Sequence, residues 1–542
     1  MRELSPSDLV LAYHRRTKHR FEAYAQGPAA LDWDDQPAPF RRFVGAPLVP
    51  LPLAAETGAS LQAVLQRRWR EIACGGVAEI SIESIGVLLN LSLAITAWKS
   101  WGPDRWALRA NPSSGNLHPV EAYLIVRGVA DLADGVYHYC PDDHTLEYRA
   151  HFAVPSASQA PLLCIGFSTL MWREAWKYGE RAFRYCQLDV GHATAAVACA
   201  AAALGWSIGE RPELATTTLA QWLGLDRESD FPASHGGNTE REEPQILLQL
   251  IDDATLAGVD LAAVLASAQW QGLASAIDPN PRYRWPIIDA VAAATRSSGI
   301  SLLEPRKIAP RTMLEQAGSA SGPSLGDVIL SRRSAQRFDP HGSMVAADFF
   351  GMLAATMPGS GAPWSALVNE PRISLVLFVH RVTGLETGLY LLARRPEHRI
   401  PMAGRFDAVP LAEAPSGLPL YRLATVDPQE LRRVARAINC HQDIAADACF
   451  AVAMLAEFSA PIAADPAAYR TLFLEAGMIG QVLYLEAEAC GPRGTGIGCF
   501  FDDPFHELIG LEGEDLQSVY HFTVGVPIDD TRLEISSAYP HR

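Results

Sequence analysis

Two related copies of one segment occur in this chain, and the repeat limits its fold more than any other feature. The segment "AFRYCQLDVGHATAAVACAAAALG" begins at Ala182, and "AYRTLFLEAGMIGQVLYLEAEACG" begins 286 residues later, at Ala468. At this offset an arginine, a leucine, an acidic residue and two glycines coincide, in the pairs Arg184 and Arg470, Leu188 and Leu474, Asp189 and Glu475, Gly191 and Gly477, and Gly205 and Gly491. The alignment continues without a gap to "LGL" at Leu223, which corresponds to "IGL" at Ile509. The chain is therefore interpreted as a tandem repeat.

The pattern around each copy predicts a mixed α+β unit. An apolar strand is followed by "GVYHY" at Gly135 in the first half and by "GLYLL" at Gly388 in the second. The long small-residue helix comes next, and an apolar strand ends each unit, from Gln245 and from Val519. The expected fold class is thus α+β, with two tandem domains.

The expected domain boundaries follow from the repeat and from composition. The first domain covers residues 1–296, including an N-terminal wrapping segment, and the second covers 324–542. A stretch with Pro, Gly and polar residues at 297–323 is interpreted as the linker. A chain of 542 residues is also too long for a single hydrophobic core.

Charge and composition exclude several classes of protein. The net charge is −16 and no basic block offsets it, so a nucleic-acid partner is not expected. No apolar run reaches the roughly 18 residues of a membrane span, and the N-terminus lacks an apolar signal core. The nine cysteines form no CxxC pair, so we expect no metal site and reduced cysteines in a cytoplasmic protein.

Two short polar motifs are candidates for ligand binding. "ANPSSGNLHPVEAYLIV" at 110–126 leads from a polar loop into a strand, and "SRRSAQRFDP" at 331–340 follows a predicted helix. Taken singly, the first is compatible with an ordinary turn and the second with a solvated helix end. Adjacent arginines also supply forked donors for an anion, and a small-residue loop allows close approach of a ligand.

The order and spacing of these motifs resemble the nitroreductase superfamily, whose homodimers bind FMN at their interface. The "HP" after "PSSGN", the stretch "WKYGERAFRY" at 176–185, and "GVYHY" are similar to the SagB-type azoline-dehydrogenase branch. The resemblance covers nearly the whole chain, once per half. It implies an FMN-dependent oxidoreductase that acts on a small-molecule or modified-peptide substrate.

The two halves have lost complementary parts of that family pattern. In the family's dimers, one subunit supplies the Arg-Arg-Ser element and a glycine-containing turn, and the other supplies the Pro-Ser-Ser-x-Asn loop. Here the first half has the loop but only "LQRRWREIACGG" at 65–76, whereas the second has "RRSAQRF" but "APWSALVNEPRISLVLFV" from Ala362 in place of the loop. The simplest interpretation is a fused pseudo-dimer with one composite FMN site and one decayed site. A higher oligomer remains open.

The resemblance assigns FMN contacts to residues of both halves. They are Pro112, Ser113, Ser114, Asn116, Arg332, Arg333, Ser334, Gln336, Gly498, Cys499 and Arg532. Charge-assisted bonds from the arginines suit a phosphate, at about 1.5–3 kcal/mol each. Gln336 stands where the family often has Arg or Lys. This difference implies either that reduced flavin is stabilised more weakly or that another residue, such as Arg337, is the donor.

Lys177 and Tyr178 are the candidate catalytic acid and base, by resemblance to the azoline dehydrogenases. An ordinary lysine has a pKa of about 10.4, so a base role requires desolvation or a nearby cation such as Arg173 or Arg181. The alternative is an amphipathic segment with a solvated Lys177. His118 and Glu121 are secondary candidates.

Three functions remain open at this point. The first is dehydrogenation by an FMN-dependent enzyme. The second is reduction of nitro compounds or quinones with NAD(P)H, and the third is flavin binding by a scaffold without turnover.

Overall fold

The computed structural model describes residues 4–73, 75–152, 161–234, 237–251, 261–301, 303, 305–306, 322–395 and 406–542. Most of the predicted linker at 297–323 lies outside these residues, so the domain boundaries stay a prediction. Within the described part of the chain, no helix has both the length and the apolarity of a transmembrane span.

The first half contains eight helices and twelve strands among its described residues. Its helices are α1 (Pro6–Arg16), α2 (Ala59–Gln66), α3 (Ile82–Asn90), α4 (Met171–Tyr178), α5 (Ala182–Ala203), α6 (Thr216–Leu223), α7 (Leu261–Ala266) and α8 (Pro286–Ala294). Its strands are β1 (Phe43–Val44), β2 (Leu48–Pro50), β3 (Ile95–Trp101), β4 (Asp104–Arg109), β5 (Val120–Arg127), β6 (Gly135–Cys140), β7 (Thr145–His151), β8 (Leu162–Thr169), β9 (Ser207–Glu210), β10 (Glu243–Ile251), β11 (Gln269–Trp270) and β12 (Leu273–Ala274).

The second half contains seven helices and ten strands among its described residues. Its helices are α9 (Leu325–Ser331), α10 (Ala346–Ala355), α11 (Pro428–Ile438), α12 (Asp443–Asp447), α13 (Ser459–Ala464), α14 (Ala468–Cys490) and α15 (Asp502–Ile509). Its strands are β13 (Met344–Val345), β14 (Ile373–Val379), β15 (Val382–Thr383), β16 (Gly388–Leu392), β17 (Val409–Pro410), β18 (Leu420–Thr425), β19 (Phe450–Glu457), β20 (Arg493–Ile497), β21 (Leu516–Gly525) and β22 (Glu534–Ser536).

The main sheets of the two halves share one strand order. The first runs β11-β7-β6-β5-β8-β10-β9, and the second runs β17-β18-β16-β14-β19-β21-β20. Six strands of the first sheet correspond to six of the second, both in chain order and in position. The pairs are β7 and β18, β6 and β16, β5 and β14, β8 and β19, β10 and β21, and β9 and β20. In each half the strand that begins with "G-x-Y" places its glycine opposite a valine of the neighbouring strand, Gly135 opposite Val126 and Gly388 opposite Val379. The expected α+β class with tandem domains is confirmed.

The two long helices, α5 and α14, cross at the centre of the molecule, and the repeated glycines explain how closely they approach. A Cβ atom added to Gly191 would lie 2.1 Å from the Leu474 carbonyl oxygen, and one added to Gly477 would lie 2.1 Å from that of Leu188. Only glycine allows backbones to pack at this distance. The glycine and leucine columns of the repeat therefore mark the contact between the halves.

The termini cross from one half to the other. From the N-terminus, Ser7 donates to the carbonyl oxygen of Ile462 at 3.0 Å, which attaches α1 to the second half. From the C-terminus, β22 pairs with β3 of the first half, so β22, β3 and β4 form a three-stranded sheet. Both contacts hold the two halves together around the site described next.

Candidate functional site

A cavity of about 360 Å³ lies between the two halves and is lined by residues of both. Ten of the eleven expected cofactor-binding residues line it, namely Pro112, Ser113, Ser114, Asn116, Arg332, Arg333, Ser334, Gln336, Gly498 and Cys499. Tyr178, one of the two expected catalytic residues, lines it as well. Residues separated by more than 200 positions in the sequence are thus brought to one place.

The loop of the first half is held against α5 by a buried carboxyl group. Ser113 Oγ donates to Asp189 Oδ2 at 2.5 Å, and both the backbone N–H and the hydroxyl of Ser114 donate to Asp189 Oδ1 at 3.1 Å. Burial raises the pKa of Asp189 to about 7. Gly115 has a φ of +58°, a conformation that glycine adopts without strain. Asn116 continues the loop and donates from Nδ2 to the Ala107 carbonyl at 2.9 Å.

The arginines of the second half approach the same loop from the other side. Arg332 donates from Nε to the Ala110 carbonyl and from Nη2 to the Arg109 carbonyl, both at 3.0 Å. Its Nη1 is buried and has no hydrogen-bond partner in the described residues. Burial lowers the pKa of Arg333, to about 10, and Arg332 beside it acts in the same direction. The pair therefore joins the halves and retains an unsatisfied donor.

The charge of the cavity wall favours an anion. Lys99, Arg109, Arg332 and Arg333 line it, and Asp189 is the only carboxyl group among the lining residues that the structure describes. Neither Arg332 nor Arg333 forms an ion pair within the described residues. Buried cations are costly unless paired, so a bound anion such as the phosphate of FMN would stabilise this wall.

The end of β20 and the turn after it form another part of the cavity wall. A Cβ atom added to Gly496 would lie 1.8 Å from the Tyr520 hydroxyl, and one added to Gly498 would lie 2.2 Å from the Tyr185 ring. The Gly498 carbonyl accepts from Arg181 at 3.1 Å. Glycines thus let the backbone lie directly on aromatic rings that line the cavity.

Tyr178 and Lys177 lie at the end of α4, over the Pro112–Asn116 loop. The position of a Cβ atom on Gly115 would be 2.5 Å from the Tyr178 hydroxyl and 3.1 Å from Lys177 Nζ. Lys177 does not line the cavity itself, and its Nζ lies 5.5 Å from the centre of the Trp33 ring. Burial lowers the pKa of Lys177 and raises that of Tyr178 well above its ordinary value.

The cations expected near Lys177 are bound elsewhere. Arg173 forms an ion pair with Glu121 at 2.6 Å, and Arg181 forms one with Asp502 at 3.2 Å. The shift in the Lys177 pKa therefore comes from burial, opposed by Glu174. The expectation that these arginines act on Lys177 is corrected by the geometry.

Four further expected residues do not reach the cavity. Arg532 is exposed and donates to Asp530 at 2.6 Å, and Arg337 is also absent from the cavity wall. Glu121 is held by Arg173 and His138 beneath the wall, and His118 contacts Asn116 Oδ1 at 3.2 Å without lining the cavity. Glu121 and His118 therefore support the Pro112–Asn116 loop and do not face the cavity.

Several lining residues had no expected role. Lys99 and Trp106 belong to the β3–β4 hairpin, while Tyr185, Asp189 and His192 come from α5 and Tyr520 from β21. An aspartate inside an alanine-rich helix, repeated as Glu475, was a usable signal for Asp189. The β3–β4 hairpin offered no such signal in the sequence, because its contact with the site depends on how the two halves pack.

A second, smaller cavity of about 120 Å³ involves the corresponding strand of the first half. Glu210 and Pro212 stand 286 residues before Gly496 and Gly498, so bulky side chains replace both glycines. Glu210 accepts from the Val368 N–H at 2.8 Å. Both arginines that line this cavity, Arg211 and Arg470, are bound to carboxylates. Both of its arginines are therefore already paired within the protein.

Comparisons with known proteins find two relatives that are similar to parts of this sequence. The chain is 32% identical over 113 residues to MJ1384 of Methanocaldococcus jannaschii, provisionally named a nitroreductase, covering 19% of this chain and 57% of that protein. It is 29% identical over 164 residues to the trifolitoxin-processing protein TfxB of Rhizobium leguminosarum bv. trifolii, covering 27% of this chain and 44% of that protein. The alignments thus span about half the length of these relatives. No protein-family model matches the chain.

A solved structure matches both halves. The fold of a provisionally named nitroreductase from Anabaena variabilis aligns with 96% of this chain and 99% of its own, with a TM-score of 0.66 and 21% identity. The chain therefore has the fold of that nitroreductase structure, and it is similar in sequence to MJ1384 over part of its length.

Proposed function

We propose that this protein is an FMN-dependent oxidoreductase with one cofactor site built by both halves. The observation that carries the proposal is the cavity itself, where the Pro112–Asn116 loop of the first half meets Arg332, Arg333 and the Gly498–Cys499 turn of the second. FMN would supply hydride or electron transfer when bound, and the chain would supply binding, orientation and proton movement.

The cavity wall suits the different parts of FMN. Arg332 and Arg333 would hold the phosphate, because they are forked cations without a carboxylate partner in the described residues. Ser334 hydrogen-bonds Tyr484 at 2.9 Å and presents a hydroxyl for a polar chain. Tyr185 and Tyr520 offer aromatic surface for the ring.

Lys177 and Tyr178 would move protons at this site. Burial keeps the Tyr178 hydroxyl protonated at neutral pH, so it serves as a donor. Burial also lowers the pKa of Lys177, which is the direction that a general base requires. Their position over Gly115 supports these roles.

The proposed substrate is a small molecule or a modified peptide, with SagB-type dehydrogenation as the reaction. The name of TfxB as a processing protein supports this choice. The nitroreductase name of MJ1384 favours a second candidate, reduction of nitro compounds or quinones with NAD(P)H. Oxidation of NAD(P)H that depends on a nitroaromatic acceptor distinguishes the second from the first.

The composite site is tested by variants from each half. Arg332→Ala removes a cation of the second half and Asn116→Ala loosens the loop of the first, so both should reduce the flavin absorbance of the purified protein. Arg433→Ala, an exposed arginine paired with Glu430 on α11, is the matched control and should retain it. Flavin loss in only one of the two site variants would contradict a shared site.

A further inference from the structure

A pair of cysteines lies at the edge of the cavity. Cys499, which lines it, shares a hydrogen bond with Cys440, and the two Sγ atoms are 2.7 Å apart. Both side chains are partly exposed. A disulfide has an S–S length of about 2.05 Å, so the two sulfur atoms need to approach by only a fraction of an ångström to bond.

The backbone around Cys440 holds the sulfur atoms together. Cys440 and His441 have φ angles of +52° and +59°, the left-handed region that residues other than glycine seldom adopt. Gln442 then donates from Nε2 to the Cys499 carbonyl at 3.1 Å, which ties the two loops directly. Consecutive strained residues persist where the surrounding structure imposes them, and they are frequent at functional sites.

The surroundings make the two thiols unequal. The hydrogen bond with Cys440, followed by His19 and Arg181, lowers the pKa of Cys499, while the same contact raises that of Cys440. The thiolate is the nucleophilic form of cysteine. Cys499 is therefore suited to attack, and Cys440 to resolve the product.

We propose that Cys440 and Cys499 are a redox-active pair that interconverts between a dithiol and an intramolecular disulfide by exchange with small-molecule disulfides. With oxidised glutathione, the Cys499 thiolate attacks one sulfur atom, a Cys499–glutathione bond forms, and the first glutathione leaves as a thiolate. Cys440 loses its proton to solvent and attacks the Cys499 sulfur, and the second glutathione leaves as a thiolate. Two protein thiols are oxidised by two electrons, and one small disulfide is reduced to two thiols.

This pair is independent of the proposed flavin chemistry, because the exchange uses only the two side chains and the small disulfide. Because the cysteine pair lies at the edge of the cavity, its redox state would nevertheless affect the cavity. A bond between Cys440 and Cys499 would fasten the turn at Gly498 to the loop that follows α11, so the redox state would alter one wall of the cavity.

The test is a titration of the full chain with defined ratios of reduced to oxidised glutathione. After alkylation of the remaining thiols, peptide mapping by mass spectrometry should show one peptide pair joined through Cys440 and Cys499, and dithiothreitol should release it. Failure of this linkage to form at any ratio, in protein whose circular dichroism shows it to be folded, would overturn the proposal.

Single substitutions test the assigned roles. Cys440→Ser should leave Cys499 as a stable mixed disulfide with glutathione, because the resolving thiol is missing. Cys499→Ser should leave Cys440 largely unmodified under the same conditions. Cys490→Ser, at a partly exposed cysteine whose pKa burial raises, is the matched control and should still form the linkage. Equal modification of Cys440 and Cys499 in the single variants would contradict the assignment.

Discussion

Asp189 shows how one buried side chain supports the cavity and carries a pH dependence. It accepts hydrogen bonds from Ser113 and Ser114, and no cation pairs with it in the described residues. Its counterpart in the second half, Glu475, is bound instead by Arg394 and by the Arg372 N–H. The same position in the repeat therefore holds a ligand-facing loop in one half and an internal ion pair in the other.

Asp189→Asn should flatten the pH dependence of stability. The folded pKa of Asp189, about 7, lies above the ordinary value of about 3.9, so the folded state binds the proton more tightly. Its contribution to stability is fully present below the ordinary pKa and is lost as pH rises through 7. Urea denaturation at pH 5 and pH 8 should show a larger fall in the free energy of unfolding for wild type than for the variant. Parallel profiles would contradict the assignment.

Lys177→Ala and Tyr178→Phe should separate binding from chemistry. Neither side chain belongs to the proposed cofactor-binding set, so both variants should retain FMN. Turnover should fall by roughly a hundredfold or more if the pair moves protons. Steady-state reduction of a quinone acceptor, with flavin content measured on the same samples, checks this. Unchanged turnover in both flavin-loaded variants would remove the pair from the mechanism.

At the scale of elements, the crossing of α5 and α14 sets the distance between the two halves. The loop that Asp189 holds and the aromatic wall at Tyr185 both depend on α5, while Tyr484 of α14 contacts Ser334 and the Gly496 N–H. A shift in this crossing would move both sides of the cavity. The small residues at the crossing therefore contribute to the site without touching a ligand.

Gly191→Ala should destabilise the protein by about 1–3 kcal/mol, since the added methyl group meets a backbone carbonyl that has no rotamer to change. Gly361→Ala is the matched control, because an added Cβ atom there meets nothing within 4 Å. Urea denaturation of both variants measures the difference. Equal free energies of unfolding for the two variants would mean that α5 and α14 accommodate the added methyl group without loss of stability.

At the scale of the whole molecule, the two halves are inequivalent copies joined by exchanged termini. One cavity has glycines at the turn and unpaired arginines, while the smaller one has Glu210, Pro212 and arginines bound by carboxylates. This asymmetry supports one composite site and one decayed site, as the complementary motif losses suggest.

The whole-molecule prediction concerns stoichiometry. Each chain should bind one FMN, because bulky side chains replace the glycines at the smaller cavity and carboxylates bind its arginines. Extraction of flavin from fully loaded protein, quantified against protein concentration, measures the ratio. Two FMN molecules per chain would contradict the composite-site proposal.

The sequence by itself determined the repeat, the presence of a long small-residue helix in each half and the division of motifs between the halves. These features are readable because periodicity and small-residue spacing reflect local backbone geometry and the faces that must pack. Ala182 and Ala468 begin α5 and α14 at the offset of the repeat, and Gly191 and Gly477 meet where the helices cross.

Only the tertiary structure decided which side chains share a neighbourhood. Arg532 binds Asp530 away from the cavity, whereas Lys99 enters through a hairpin that β22 holds from the other half. Cys440 and Cys499 meet although 59 positions separate them. Such contacts arise from long-range packing, which places residues by the path of the whole chain, so no local pattern in the sequence records them.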